Sequence, residues 1–537
     1  MSDRTLLALM LLATSLLFLI GLGRGTLWDQ DEAKYTQVAR EILQTGDPIT
    51  LHVNGAPWFV HPPLYMWLQA LVGRVWGFNE FTARLWSAIF GVIGVLVTVQ
   101  LGRALFGPRT GLLAGMILAT SFQYFAQSRL AIFDGVLVTF MLLAFYAFLR
   151  AVREGRPHLL VWAGVWAGLG TLTKGPIALL LPGLVGAAFL LLRRDHYNWR
   201  RLRWFPALLA YALLATPWYL VEWVRHGWPF VQTVFGYYTF NRFFGVVEGQ
   251  AGPWWYYGPV LILGLFPWTA FVMAALVSHV RRTVHEGSLL VVLWCGLTVI
   301  FYSLAGTKLP NYVLPLYPWA ALGTAAMWDR LLAGDRAMTR YLSAAWVCTA
   351  LALLAFAVEI VLFARMVYPV QFAALARHLF GVGVGLTAWL LGAGTLYALR
   401  RHTASLAVLT ATGVVLAGVL IGRTLPLVEA HRPIKAVAAA IRPELRPGTT
   451  LAAVNLWAQQ TLLFYTDHPV VWLGDAGQLR RVLCDHERVV VVTRSGEHEQ
   501  LMRDVALPPE MSMRLLVAKG DLTASLKEGT VNCSGTP

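Results

Sequence analysis

Charged side chains are scarce in this chain. Only 13% of its 537 residues are Asp, Glu, Lys or Arg, whereas 57% are hydrophobic. A soluble globular protein of this size does not need so many apolar residues for its core, so the composition excludes that class. The apolar residues form runs of about 20 residues, which are long enough to cross a bilayer as helices. The sequence therefore predicts a polytopic α-helical membrane protein.

Cysteine is also scarce, with four in the whole chain, which excludes a disulfide-stapled scaffold. Cys295 and Cys348 lie within apolar runs, where a thiol behaves as a small core residue. Cys484 and Cys533 lie in the polar tail. They can pair if that tail faces an oxidising compartment.

Several catalytic motifs are missing. The chain has no P-loop, no G-x-G-x-x-G after a strand, no G-x-S-x-G and no H-E-x-x-H, which mark nucleotide-binding, hydrolase and zinc-protease sites. Nucleotide-dependent chemistry is therefore not expected. The free energy for a reaction would have to arrive with an activated lipid.

The apolar runs of the sequence predict thirteen membrane spans. They lie at about 5–22, 84–102, 110–127, 134–150, 159–173, 176–192, 204–222, 256–279, 288–305, 312–331, 341–363, 379–399 and 404–422. The first run has no A-x-A cleavage site, so we expect it to be kept as a span.

Basic residues explain the net charge of +15 and set the topology. They form short clusters on alternate connections, which the positive-inside rule places in the cytoplasm, and no continuous basic face suggests nucleic acid. The clusters are Arg103 and Arg109; Arg150, Arg153 and Arg156; Arg193, Arg194, Arg200, Arg201 and Arg203; Arg281 and Arg282; Arg330, Arg336 and Arg340; and Arg400 and Arg401. The N-terminus is then cytoplasmic, and the loops 23–83 and 223–255 face outward with the C-terminal tail.

Composition changes after the last span and predicts two domains. Residues 1–424 form a transmembrane domain, and 425–537 form a small soluble periplasmic α/β domain. The tail contains strand-like runs and helical patterns in alternation. The strands are predicted at 450–455 and 488–493, and the helices at 433–441, 457–465 and 475–484.

The first outer loop contains a short helical pattern. Its apolar face consists of Tyr35, Val38, Ala39, Ile42 and Leu43, which recur at helical spacing. Asp29 or Asp31 is expected to cap its start, and Gly46-Asp47-Pro48 to end it. We expect this helix, and a second segment in loop 223–255, to lie in the membrane interface.

Two acidic positions are candidates for catalysis. Asp31 and Glu32 open the loop helix, where the simpler interpretation is a solvated cap that suits the helix dipole. Asp134 lies at the outer end of a predicted span, five residues after Arg129. A carboxylate is costly there, so it indicates a functional site, although capping is the alternative.

Three cations near the outer face suggest an anion site. Lys174 and Lys308 each interrupt apolar sequence on the outer side, where the positive-inside rule does not call for them. Arg242 lies between aromatic residues in YYTFNRFF. It can bind phosphate in bidentate fashion or snorkel from an interfacial helix.

The motifs D-E-A-K-Y, H-P-P-L-Y-M-W-L, F-D-G-V-L-V-T-F, T-K-G-P-I-A-L-L-L-P and K-L-P-N-Y-V-L-P-L-Y-P resemble the membrane glycosyltransferases of the GT-C fold. Within them the similarity is to the lipid A aminoarabinose transferases and the protein O-mannosyltransferases. The resemblance implies inverting transfer of a sugar from a polyprenyl phosphate donor at the outer face of the bacterial inner membrane. It places the two catalytic acids at Asp31 and Asp134. Taken together, resemblance and residue pattern assign donor binding to Glu32, Lys34, Tyr35, His61, Arg129, Lys174, Arg242, Lys308 and Tyr312.

The chain departs from the family at two places. Members often have an acid and a lysine before the double proline, where this chain has Val60 and His61. The aminoarabinose branch often has a histidine near the loop arginine, where this chain has Asn241. A divalent metal stays open as a cofactor although these usual ligands are absent, and the branch within the class stays open too.

The acceptor is not fixed by the sequence. A lipid A-type or other envelope acceptor and a Ser/Thr side chain of a protein are both compatible with the resemblance, and a monomer in the lipid bilayer is expected. A flippase or transporter for lipid-linked sugars is the alternative of another class, because transporters also carry isolated intramembrane charges.

Overall fold

The computed structural model describes residues 2–193, 202–363, 373–456, 459–505 and 513–529. The chain divides into two compact units. The first comprises Met1–Leu22, Phe59–Leu68 and Arg84–Thr424, and the second comprises Gly23–Trp58, Gln69–Ala83 and Leu425–Pro537. The second unit therefore combines two segments of the first long loop with the tail.

The first unit is helical throughout its described part. Its α-helices are Asp3–Leu19, Pro108–Ala119, Phe122–Gln127, Asp134–Arg153, Leu159–Lys174, Ile177–Leu192, Trp204–His226, Trp228–Val231, Arg242–Phe244, Tyr257–Gly264, Thr269–Val280, Glu286–Leu304, Tyr317–Leu332, Thr339–Phe363, Ala373–Ala398 and His402–Val419. Two further α-helices, Leu64–Trp76 and Glu80–Leu105, contain residues of both units. Wider π-helical turns cover Gln232–Asn241 and Leu420–Thr424, and tighter 3₁₀ turns cover Pro310–Leu316 and Arg336–Met338.

Seven of the described helices are long and apolar enough to cross a membrane, or eight if one bent pair is a single span. The bent pair corrects the predicted continuous span 256–279, because Tyr257–Gly264 and Thr269–Val280 meet at 112°. The predicted span 110–127 is also broken, since one helix ends at Ala119 and the next begins at Phe122.

Large aromatic side chains fill the core of the first unit. The rings of Trp294 and Trp319 stack with centroids 5.0 Å apart, and Phe145 meets both rings edge-on. Since buried aromatic groups contribute large apolar areas, this cluster anchors the helix that begins at Asp134.

A close helix contact also supports the site. A Cβ atom on Gly164 would lie 2.0 Å from the carbonyl oxygen of Ala207, so only glycine permits the observed approach of Leu159–Lys174 to Trp204–His226. Any larger residue at position 164 would displace the helix that ends at Lys174.

The second unit contains a five-stranded mixed sheet. Its strands lie in the spatial order Val470–Leu473, Thr450–Val454, Arg488–Arg494, Leu522–Glu528 and Met513–Lys519. The first three are parallel, and the last two pair antiparallel. Parallel strands need crossover helices, and the chain supplies them between these strands.

The helices of the second unit are Lys34–Thr45, Leu425–Glu429, Ile434–Ile441, Gln459–Thr466, Ala476–Asp485 and Ser495–Val505, with a π-helical turn at Asp29–Ala33, a 3₁₀ turn at Arg442–Glu444 and a hairpin of His52–Val53 with Ala56–Pro57. The predicted strands at 450 and 488 and the predicted helices at 433 and 475 are confirmed. Residues 457 and 458 of one predicted helix, and Cys533 of the predicted cysteine pair, lie outside the described residues.

The loop helix differs from its prediction at the start. Neither Asp29 nor Asp31 caps it; the Glu32 carboxylate instead accepts the backbone N–H of Trp28 at 3.0 Å. Its end is confirmed, because Gly46 adopts a φ of +71°, which favours glycine. The polar face is buried with the apolar one, and Glu41 receives the backbone N–H groups of the hairpin turn.

Candidate active site

The first unit brings an acid, a lysine and an amide together. Asp134 is the first residue of its helix and is 4% exposed. Its carboxylate accepts hydrogen bonds from the ammonium group of Lys174 and, at 2.8 Å, from the side-chain amide of Asn311. These contacts compensate the cost of burying a charge.

Helix geometry places both charges favourably. Lys174 is the last residue of Leu159–Lys174, where a cation suits the negative end of the helix dipole. Asp134 is the first residue of the preceding helix, Asp134–Arg153, where a carboxylate suits the positive end. The lysine ammonium also lies 5.1 Å from the ring centroid of Phe133 and 5.0 Å from that of Tyr312. Two aromatic faces therefore add cation–π attraction.

The segment before Asp134 is fixed by a short hydrogen-bond chain. The Ser87 hydroxyl donates to the carbonyl oxygen of Ile132 at 2.8 Å and is itself 2.8 Å from the hydroxyl of Tyr65. The turn that carries Asn311 is held by Gln123, which donates to the carbonyl oxygen of Pro310 at 2.7 Å. Hydrogen bonds thus fix the backbone next to both Asp134 and Asn311.

A cavity of about 370 Å³ opens beside this pair. Its polar lining includes His61, Lys174, Tyr238, Arg242 and Tyr312, and its apolar lining includes Ile177, Leu180, Phe240, Phe243, Phe244 and Phe301. A polar end next to an apolar end is the arrangement that an amphipathic ligand requires.

Arg242 is the second cation of this cavity. It donates to Gln250 at 2.9 Å and lies 3.3 Å from the Glu248 carboxylate, and its buried Nε has no hydrogen-bond partner among the described residues. Burial, followed by the charge of Glu248, raises the pKa of Tyr238. Tyr238 is therefore a neutral hydroxyl donor at pH 7, beside a guanidinium with donor capacity to spare.

Two of the candidate cations do not line the cavity. Lys308 is buried, and its ammonium donates to the carbonyl oxygen of Ala305 at 2.5 Å. Arg129 donates to the carbonyl oxygens of Leu17 and Phe18 at 3.1 and 2.7 Å, which closes the end of the first helix. Their predicted roles in donor binding stay predictions.

The other candidate acid belongs to the second unit. Asp31 is exposed, and its carboxylate accepts the hydroxyl of Tyr35 at 3.0 Å. Glu32 is 1% exposed, and its carboxylate accepts the backbone N–H of Trp28. The half-buried Lys34 donates to the side chain of Gln30 at 3.2 Å. A contact between Asp31 and Asp134 stays a prediction.

Asn311 is a site residue that the sequence did not reveal, and Asp29, which was expected to cap the loop helix, is bound to Thr461 instead. Asn311 stands in the K-L-P-N-Y motif, directly before Tyr312, so that motif was the available signal. Asp29 accepts both the backbone N–H and the hydroxyl of Thr461, and burial raises its pKa despite these hydrogen bonds. No local pattern announces a partner 432 residues away.

The described residues contain no group of three or more His, Cys, Asp or Glu side chains placed to hold a metal ion. Val60 has no donor atom where family members often have an acid. The side chains at this position therefore do not fit a metal ion.

A family model described as dolichyl-phosphate-mannose-protein mannosyltransferase matches residues 60–221. An undecaprenyl phosphate-alpha-4-amino-4-deoxy-L-arabinose arabinosyl transferase of Pseudomonas fluorescens is 32% identical over 419 residues, which cover 75% of this chain and 73% of that protein. The chain belongs to this arabinosyl transferase family. The question of branch, left open by Val60 and Asn241, is answered in favour of the aminoarabinose transferases.

Other members agree with this assignment. The transferase of the same name from Pseudomonas aeruginosa LESB58 is 34% identical over 354 residues, and the match spans 63% of each protein. The chain thus matches less than two thirds of that relative's length.

Solved structures show the fold. The crystal structure of ArnT from Cupriavidus metallidurans bound to undecaprenyl phosphate superposes with a TM-score of 0.82 at 22% identity and covers 97% of both chains. The archaeal oligosaccharyltransferase AglB from Archaeoglobus fulgidus gives a TM-score of 0.50 at 12% identity, over 92% of this chain and 70% of its own. The protein is a helical membrane protein with the GT-C fold.

Proposed function

We propose that this protein is an inverting glycosyltransferase that moves a sugar from undecaprenyl phosphate to a lipid A-type or other cell-envelope acceptor at the periplasmic face of the inner membrane. The observation that carries the proposal is the cavity, whose cationic and apolar ends meet beside the buried Asp134 carboxylate. Membership of the arabinosyl transferase family supports the donor class.

The proposed topology has thirteen spans with a cytoplasmic N-terminus and a periplasmic C-terminal α/β domain. Seven long helices, one bent pair and five shorter helices that coincide with predicted spans support this number. The shorter helices are Asp3–Leu19, Pro108–Ala119, Leu159–Lys174, Ile177–Leu192 and Tyr317–Leu332. The alternating arginine clusters support the orientation, and we propose a monomer.

The donor phosphate is the leaving group, and its developing negative charge must be neutralised. We assign this task to Lys174, Arg242 and His61, which line the polar end of the cavity, and to Lys308, whose ammonium group donates to the carbonyl oxygen of the lining residue Ala305. Fixed cations in a site that excludes water stabilise such a charge more than water does. The phenylalanine rings at the apolar end provide the surface for the first prenyl units.

We assign different roles to Arg242, in donor binding, and to Lys174, in stabilising the leaving group. Arg242 offers a planar fork that matches phosphate oxygens, so it contributes mainly to donor affinity. Lys174 is already bound to Asp134, so its charge is held in one place. It then responds to the charge that develops as the sugar–phosphate bond breaks.

The acids act on the sugar and the acceptor. With a hydroxyl acceptor, a carboxylate must take the proton as the new bond forms, and we assign this to Asp31, which the Tyr35 hydroxyl orients. With a phosphate acceptor the nucleophile is already ionised, so Asp31 positions it instead. Asp134 orients the sugar, while the side-chain amide of Asn311 holds the second carboxylate oxygen of Asp134.

A second candidate function is transfer to Ser or Thr side chains of proteins, which the mannosyltransferase model over residues 60–221 favours. The two functions differ in the acceptor, not in the donor half of the site. A protein acceptor requires Asp31 as a base, whereas a lipid A phosphate does not.

The test uses purified full-length protein in liposomes with undecaprenyl phosphate-linked 4-amino-4-deoxy-L-arabinose and lipid A. We expect release of undecaprenyl phosphate and a matching mass increase of lipid A. Mass increase of a Ser/Thr peptide instead would favour the second candidate. Movement of intact donor between leaflets without phosphate release would identify a flippase and refute the proposal.

A further inference from the structure

The backbone just before Asp31 is held by side chains from the far end of the chain. Residues Thr26 to Asp29 and their partners from 429 onward belong to the same unit. Although more than 400 residues separate them in sequence, they form one hydrogen-bonded cluster. The Asp31 loop and the C-terminal domain are thus directly connected.

Arg432 is the central residue of this cluster. Its guanidinium donates to the carbonyl oxygen of Thr26 at 2.8 Å and to that of Leu27 at 2.7 Å. It also lies 4.3 Å from the ring centroid of Trp28. With only 8% of the side chain exposed, these contacts compete little with water.

Glu429 and Tyr465 satisfy the donors of the same peptide units. Glu429 accepts the N–H of Thr26 at 3.0 Å and also its hydroxyl. The hydroxyl of Tyr465 accepts the N–H of Leu27 at 2.9 Å and donates to Glu80 at 3.0 Å. All four backbone polar groups of these two residues therefore have side-chain partners.

Asp29 completes the cluster from the loop side. Its carboxylate accepts the N–H of Thr461 at 2.7 Å and the hydroxyl at 2.9 Å, near the start of helix Gln459–Thr466. Since Thr26, Leu27 and Asp29 are all buried, losing these partners would leave backbone groups unsatisfied away from water. The loop would then leave its position rather than remain there unbonded.

We infer that Arg432, with Glu429 and Tyr465, positions Asp31 for the transfer reaction, so that the C-terminal domain takes part in catalysis through the loop it holds. The inference rests on the proposed function, which makes Asp31 catalytic. Asp31 lies only two residues after the held segment 26–29. A shift of a catalytic group by about 1 Å lowers the rate about 100-fold. Arg432 is a positioning residue, since nothing in its contacts requires it to touch a substrate.

The experiment compares Arg432→Gln, Arg432→Lys and Tyr465→Phe with wild type in the liposome assay. The control is Arg503→Gln, because Arg503 is 68% exposed and lies 4.0 Å from the Glu499 carboxylate. We expect kcat of Arg432→Gln to fall at least about tenfold, because Asp31 loses its position. KM for the donor should change less than about twofold, because the residues assigned to donor phosphate binding are not held by Arg432. Arg432→Lys keeps the positive charge on one donor nitrogen in place of two and should recover part of kcat.

A second readout follows the loop itself. Hydrogen exchange of the amides in 26–33 should become faster in Arg432→Gln and Tyr465→Phe, with exchange in the strand Arg488–Arg494 unchanged. If Arg432→Gln does not fold, Tyr465→Phe, which keeps the ring, decides the question with the same two measurements.

The outcomes separate the two proposals. If wild type releases no undecaprenyl phosphate, the proposed function fails. The exchange measurement then still tests whether Arg432 and Tyr465 hold residues 26–33 in place. If wild type is active and both variants keep its kcat, or lose kcat with no change in exchange of 26–33, the positioning role is refuted alone. A loss equal to that of Arg503→Gln also refutes it.

Discussion

The ammonium group of Lys174 donates a hydrogen bond to the carboxylate of Asp134, at the meeting of one helix end and another helix start. Each charge stabilises the other in a buried setting, and each also suits the dipole of its own helix. Because Lys174 lines the cavity as well, the pair links the acid to the proposed phosphate site.

Lys174→Met should reduce transfer at least about 100-fold, because it removes a cation aimed at the leaving group. It also strands the Asp134 carboxylate, and breaking a buried pair costs about 3 kcal/mol or more, so the melting temperature should fall as well. The measurement is undecaprenyl phosphate release alongside thermal unfolding in detergent. Lys519→Met, at an exposed position, is the control; wild-type turnover by Lys174→Met would contradict the assignment.

Asp31→Asn should separate the two acceptor classes. With a hydroxyl acceptor the loss of the base should lower kcat by about 100-fold or more, whereas with lipid A phosphate the loss should be smaller. Rates with both acceptors, measured by mass spectrometry, give the comparison. Asp504→Asn, at an exposed position of the same unit, should match wild type with both, and equal losses for Asp31→Asn would contradict the proposed division of roles.

Arg242→Gln should act mainly on donor binding. The guanidinium has an unpartnered buried Nε among the described residues and faces the cavity, so its loss removes about 2 kcal/mol of charge-assisted hydrogen bonding. KM for the donor should rise by about 10- to 30-fold with a smaller change in kcat. Arg336→Gln, an exposed arginine, is the control. An unchanged KM would support the alternative interpretation, in which Arg242 only snorkels.

Glu80→Gln should change stability in a pH-dependent way. Burial opposes ionisation of Glu80, but the hydrogen bonds from Lys435 and Tyr465 outweigh it, so the pKa lies below 4.5 in the folded protein. A lowered pKa stabilises the fold above pH 4.5, and this contribution is lost as the pH falls through the folded pKa.

The melting temperature of Glu80→Gln should therefore lie below that of wild type at pH 7, by the equivalent of about 1 kcal/mol. The difference should close once wild-type Glu80 is protonated. Glu497→Gln, at a half-exposed pair, should show no such trend. A difference that stays constant down to pH 3 would contradict the assigned pKa shift.

Local patterns predicted the parts of the fold that local physics determines. The strands predicted at 450 and 488, the helices predicted at 433 and 475 and the glycine stop at Gly46 follow from periodicity and turn chemistry. The bend between Gly264 and Thr269 did not, because the apolar run continues through it and hydropathy alone does not reveal a bend.

Most of the site could be predicted from its charged residues, and Tyr312, which lines the cavity, followed from the family resemblance. Asp134 and Lys174 were each anomalous for their place in the membrane, so each could be recognised alone. Asn311 carries no charge, and the partners of Thr26 and Leu27 lie at the other end of the chain. The cap predicted at Asp29 or Asp31 was wrong. The Asp29 carboxylate binds Thr461 instead, a competition that only tertiary structure reveals.

The role of Asp134 is tested most sharply by the turnover of Asp134→Asn in liposomes with undecaprenyl phosphate-linked aminoarabinose and lipid A. Wild type and Asp3→Asn, whose carboxyl is 51% exposed, are measured beside it. We expect undecaprenyl phosphate release and a lipid A mass increase for wild type and Asp3→Asn. At equal protein amount, Asp134→Asn should be at least about 100-fold slower, because the sugar is no longer oriented. Release by Asp134→Asn at the wild-type rate would contradict this role.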